Sequence, residues 1–106
     1  MGDVRRFGPF LFDRHGLSVA RDGVHYHVGT RGAALLDVLL RAQGRAVDRR
    51  ALLDAGWSGT AIEDANLTVQ IAALRKVLGR RDDANEWIET IPRVGYRLAP
   101  FAGRSR

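Results

Sequence analysis

A chain of 106 residues with 45% hydrophobic and 27% charged side chains is long enough for one buried core and too apolar for intrinsic disorder. It has no cysteine, which excludes a disulfide framework and a cysteine-based zinc site, and no apolar run approaches the ~20 residues of a membrane helix. Its net charge of +5 is carried almost wholly by arginine, Lys76 being the only lysine, and favours a polyanionic partner, nucleic acid before an acidic membrane surface.

The opening segment MGDVRRFGPF lacks a long apolar core and a small-residue cleavage site, so no secretory signal and a cytoplasmic location are expected. Three short strands follow, FLFD at 10–13, LSVA at 17–20 and HYHV at 25–28, separated by the turn-like RHG and RDG segments. Thr30 is placed to cap a first helix, in which Ala34, Leu35, Val38 and Leu39 recur at helical spacing and which Gly44 closes. Asp48 is the cap expected for a short second helix with Leu52, Leu53 and Trp57 on its apolar side. Gly56 and the SGT at 58–60 then form a loop.

A third helix starts at Glu63–Asp64, where acidic side chains complement the helix dipole. Within it Leu67, Ile71, Leu74 and Leu78 fall on one narrow stripe that must face the core. The opposite face carries Ala65, Val69, Ala72, Ala73 and Lys76, flanked by Thr68 and Arg75. That face is slim and poorly polar, as suits a surface that lies against something. After Gly79 and a polar RRDDAN turn, WIET at 87–90 and YRLA at 96–99 read as a hairpin, with Pro92 and Gly95 supplying the turn. A frayed tail is expected at 101–106. The expected class is α+β: a winged helix-turn-helix with an N-terminal antiparallel sheet of three to four short strands, three helices and a C-terminal hairpin wing. One domain should span 1–106, with its core at about 7–99.

The ordered set FGPFLFD, VGTRGAALLDVLL, DRRALLDAGW, LTVQIAALRKVLG and IPRVGYRL resembles the DNA-binding (effector) domain of OmpR/PhoB-type transcriptional regulators over residues 7–99. It is most similar to the variant found in ToxR/CadC-like regulators. The resemblance implies a duplex-DNA-binding domain of a bacterial transcription regulator, without enzymatic activity or cofactor. The helix near 64–78 would lie in the major groove, the wing near 91–97 would reach the adjacent minor groove, and the second helix would cross the backbone. It further implies contact with RNA polymerase through the 58–63 loop, head-to-tail pairing on DNA, and no membrane contact by this segment. Many members carry arginine where this chain has Ala72 and Ala73. Alanine cannot donate a hydrogen bond, which shifts expected specificity toward thymine methyl groups and a wing arginine in a narrow minor groove. The phosphoacceptor domain that many members carry upstream is not expected, and the chain is expected to be either a stand-alone module or the N-terminal domain of a longer protein whose sensor lies downstream.

The DNA-contact candidates are Arg49, Arg50, Thr68, Val69, Gln70, Ala72, Ala73, Arg75, Lys76, Arg93 and Arg97, each with a plainer alternative. Arg75 and Lys76 either meet DNA or form a solvated helix face. Arg93 and Arg97 either enter the minor groove, or Arg97 pairs with Glu89 across the hairpin. Gln70 either donates to a phosphate or satisfies a buried carbonyl. Arg49 and Arg50 either meet the backbone at a helix start or are solvated. Trp57 and Trp87 read as core rather than stacking platforms. His25 and His27 share a strand face without a third metal ligand, and Asp82, Asp83, Glu86 and Glu89 read as a solvated turn. Residues 1–53 carry nine basic and five acidic side chains and residues 54–106 eight and seven, so only folding can gather the positive charge onto the reading half. Two rival functions stand beside the DNA reading: a winged helix used as a protein-interaction module, and a nonspecific architectural DNA binder.

Overall fold

A computed structural model describes residues 4–57, 64–81 and 85–99. Four strands, β1 (Val4–Phe7), β2 (Phe10–Asp13), β3 (Ser18–Arg21) and β4 (Val24–His27), form an antiparallel meander in sequence order. Its inner face is set by register: Phe7 lies opposite Phe10 and Phe12 opposite Val19, and all four are buried, while the intervening Leu11 is exposed. The β3–β4 turn is Asp22–Gly23, both with positive φ (55° and 81°), the backbone that a two-residue hairpin requires. That turn pairs Arg21 with Val24 and moves β3 one residue later and β4 one residue earlier than expected. At the preceding turn, Asp13 Oδ1 accepts the Gly16 N–H at 3.0 Å.

The first helix, α1 (Gly29–Arg41), does not use Thr30 as its cap. Val28 holds that position without a side-chain hydrogen bond, its own N–H donating to the Leu17 carbonyl at 2.8 Å, and the chain turns into the helix through Gly29 at φ 77°. Thr30 therefore lies inside the first turn. The buried side of α1 is Gly32, Ala33, Leu35, Leu36 and Leu39, so the stripe is centred between Leu39 and Leu36, rotated from the expected set toward Gly32 and Leu36, and Ala34 and Val38 are only half-buried at its margin. Gln43 and Gly44, at φ 52° and 88°, turn the chain after the helix has ended.

A short strand, β5 (Val47–Asp48), leads into α2 (Arg49–Trp57). Asp48 caps α2 as expected, its Oδ1 accepting the Ala51 N–H at 2.8 Å. Leu52, Leu53 and Trp57 are buried. In α3 (Asp64–Leu78), Leu67, Ile71, Leu74 and Leu78 are each about 1% exposed, the single core stripe that the periodicity predicts. The hairpin is β6 (Ile88–Ile91) and β7 (Gly95–Leu98), and β5 adds to the free side of β7 to give the order β5-β7-β6. The SGT loop, Glu63, the centre of the RRDDAN turn and the tail at 101–106 lie outside the described residues.

Trp87, just before β6, is 7% exposed and meets the rings of Phe10 and Phe7 edge-on at 5.3 and 6.4 Å, so the meander packs directly behind the hairpin. Gly95 serves a different purpose from the one its place beside the turn suggests. It is the first residue of β7, and a Cβ there would overlap the Val47 carbonyl oxygen and crowd Asp48 and Arg49, so its lack of a side chain is what lets β5 close on the hairpin. Gly95→Ala should lower stability by about 2–3 kcal/mol through overpacking against backbone. Gly23→Ala, where nothing lies within 4 Å and only a positive φ is opposed, should cost about 1 kcal/mol. Urea unfolding of the two variants checks the difference.

Candidate nucleic-acid interface

The outward side of α3 follows from its buried stripe. Val69 is 69% exposed, and Ala65, Thr68, Ala72, Ala73 and Lys76 are exposed with it. Lys76 makes no hydrogen bond or ion pair with the described residues. Thr68 donates its hydroxyl back to the Asp64 carbonyl at 3.3 Å. Gln70 is half-buried beside α1 and, with Val28, Gly29, Thr30, Arg31, Gly56 and Trp57, lines an open recess of about 670 Å³. Arg31 lies over the Trp57 ring there, 5.3 Å from its centroid.

Arg75 points to the hairpin. Its Nε and Nη2 donate to the Ile88 carbonyl at 3.0 and 2.6 Å, Nη2 also donates to Thr90 Oγ1 at 2.9 Å, and the Glu86 carboxylate lies 3.9 Å away. Its guanidinium sits 5.9 Å from the centre of the Tyr96 ring. Five donors in a planar fork allow this convergence, which a lysine could not match. Nothing in the sequence around Arg75 signals the arrangement, because its partners lie 13 and 15 residues onward.

At the tip of the hairpin the Val94 N–H donates to the Ile91 carbonyl at 3.0 Å, with Pro92 and Arg93 between them. Arg93 has φ 68°, which makes this a type II pattern with arginine in the place that favours glycine. Its side chain is exposed and forms no hydrogen bond or ion pair with the described residues. Arg97 pairs with Glu89, directly opposite in register, through Nε and Oε1 at 2.6 Å. Glu86 and Glu89 thus counter specific arginines, where a merely solvated turn was expected; Asp82 and Asp83 lie outside the described residues.

Arg49 is half-buried at the start of α2. Its N–H donates to the Val94 carbonyl at 3.2 Å and its guanidinium stands 5.9 Å from the Tyr96 ring centre, so a basic residue from the first half of the chain abuts the wing. Arg50 is exposed and paired with Asp54 one turn on, at 3.3 Å. His25 and His27 are exposed on β4, and among the described residues no group of three or more His, Asp or Glu side chains could hold a metal. None of the described helices is long and apolar enough to cross a membrane.

The family described as "Transcriptional regulatory protein, C terminal" matches residues 23–98, and the chain belongs to it. The chain is 33% identical over 92 residues to the transcriptional regulator HilA of Salmonella typhi, covering 87% of this chain but only 16% of HilA. The solved DNA-binding domain of E. coli CadC superposes with a TM-score of 0.83 at 27% identity, covering 93% of this chain and 94% of that one. The DNA-binding domain of Klebsiella pneumoniae RstA, solved in complex with the RstA box, gives a TM-score of 0.76 at 28% identity, over 92% of this chain and 98% of that one. The fold is the winged helix-turn-helix of these regulators, α2 and α3 forming the helix-turn-helix and β6–β7 the wing.

Arg75→Gln should destabilise the domain by about 1.5–3 kcal/mol, the range for hydrogen bonds made by a charged group. Amide hydrogen exchange should accelerate at Ile88–Ile91 more than in α1. Uniform acceleration across the domain would show that Arg75 does not hold the hairpin in particular.

Proposed function

We propose that this domain binds duplex DNA on behalf of a bacterial transcription regulator, with α3 in the major groove and the wing at 91–97 in the adjacent minor groove. The observation that carries the reading is the side of α3 opposite its core stripe. It is exposed and slim, ends in Lys76, and is tied by Arg75 to a wing whose tip presents Arg93, both cations having no hydrogen bond or ion pair with the described residues. The RstA domain, solved on its own box, supports it by likeness of fold and sequence.

Within this reading Lys76 and Arg93 are the leading DNA contacts. Arg97 reaches DNA only by exchanging the Glu89 carboxylate for a phosphate, and Arg75 acts by positioning the wing. Arg49 and Arg50 meet the backbone at the start of α2. Val69, Ala72 and Ala73, with Thr68 beside them, form the surface against the base edges, and Gln70 stands at its margin. The role is one of binding rather than catalysis, in the cytoplasm. Contact with RNA polymerase through the 58–63 loop and head-to-tail pairing on DNA belong to the same proposal.

If ~5–6 phosphates are neutralised, log affinity should fall with log salt at a slope of about −4 to −6. Lys76→Ala with Arg93→Gly should flatten that slope by about 2. Arg93→Gly alone should weaken binding yet raise stability by up to about 1 kcal/mol, because glycine is at ease at positive φ. Titrations at several salt concentrations, with thermal melts of the same variants, test this. Salt-independent binding would point to a protein-interaction module, and equal binding to all duplexes to an architectural role.

A further inference from the structure

Around α3, Ala65, Val69, Ala72, Ala73 and Lys76 occupy an arc of about 100°, opposite the core stripe. Four of the five end in methyl groups. The hydrogen-bonding side chains that could have served this face are committed elsewhere. Thr68 returns its hydroxyl to the helix, Arg75 is held by the hairpin, and Gln70 is half-buried against α1, its Nε2 only 3.4 Å from where a Cβ on Gly32 would stand. Asn66, at the edge of the arc, is itself engaged within the fold.

A valine left 69% exposed among alanines is apolar area that water solvates poorly, so its natural partner carries apolar area too. The surroundings say which kind. Lys76 closes the arc, Arg93 on the wing has no partner among the described residues, and Asp64, the one acidic residue of α3, lies off the arc at its first turn. An apolar strip bordered by cations suits a polyanion that carries methyl groups better than the apolar patch of a protein. In the major groove of DNA the apolar group on a base edge is the C5-methyl of thymine.

We propose that α3 reads its operator chiefly through thymine methyl groups, with Val69, Ala72 and Ala73 as the specificity-determining contacts and Lys76 as the anchor. The proposal rests on the DNA-binding reading and deepens it. It makes the preferred major-groove site rich in A·T pairs, discriminated by shape and methyl packing rather than by paired hydrogen bonds to guanine.

The test begins with selection of bound duplexes from a random pool using the 106-residue chain. Each thymine of the selected site is then replaced by deoxyuridine, which removes only the methyl group, and affinity is read by fluorescence anisotropy. Burial of one methyl-sized group is worth ~0.8 kcal/mol, so each contacted thymine should lose about fourfold on replacement. Val69→Ala, at an exposed position that the core does not use, should weaken binding to the thymine site and shrink the deoxyuridine effect at one or two positions. A selected site that is bound tightly, yet loses nothing at any deoxyuridine, would overturn the methyl proposal while leaving DNA binding intact. Equal retention of all duplexes would overturn this proposal in favour of an architectural role, whereas retention of none, or binding that ignores salt, would overturn the DNA reading itself and return the apolar strip to a protein partner.

Discussion

Arg75 leaves α3 on the side of the hairpin and delivers its guanidinium to the Ile88 carbonyl and the Thr90 hydroxyl, with Glu86 and the Tyr96 ring beside it. This contact sets where the wing stands relative to the helix. A winged helix that grips two grooves needs its two contact elements at a constant separation and angle, since an ångström of misplacement spoils hydrogen bonds and packing alike. Charge-assisted bonds from a rigid, planar fork meet that need better than apolar packing, which tolerates sliding. The arrangement also withdraws one arginine from the reading surface, and the slimness of the α3 face is in part its consequence.

The hairpin is braced from two other directions. Trp87 carries the aromatic pair Phe7 and Phe10 behind it, which gives the N-terminal meander a role as buttress. On its free side β7 accepts β5, made possible by the bare backbone at Gly95, and β5 leads straight into α2. The wing is therefore tied to α3 by a side chain, to the meander by rings, and to α2 by a backbone ladder. Only the first of the three involves a charged group, so added salt weakens the Arg75 tie while leaving the ring packing and the backbone ladder in place.

How much of this was legible in the sequence varied with the range of the interactions. The stripe Leu67–Ile71–Leu74–Leu78, the Asp48 cap and the RDG turn are local patterns, and each stands where its spacing puts it. Strand β1 was less legible, because VRRF buries only Phe7 and owes its extended form to pairing with β2. Thr30 had the chemistry of a cap, but the Val28 to Leu17 hydrogen bond fixes the chain two residues earlier. The alternative of an Arg97–Glu89 pair was visible from strand alternation, whereas the destination of Arg75 was not. Its partners are a carbonyl and a hydroxyl on a strand whose position depends on the whole fold.

The separation between the two sides of α3 has a consequence for how such a regulator changes over time. Every residue of the buried stripe is bound to the fold, and every residue of the outward arc is independent of it. Surface exchanges away from caps and ion pairs usually alter stability by less than ~0.5 kcal/mol. Longer side chains can therefore be placed at 69, 72 and 73 without first acquiring stabilising changes elsewhere. The small residues now present leave that space open, so the outward face can change its chemistry while the fold stays as it is.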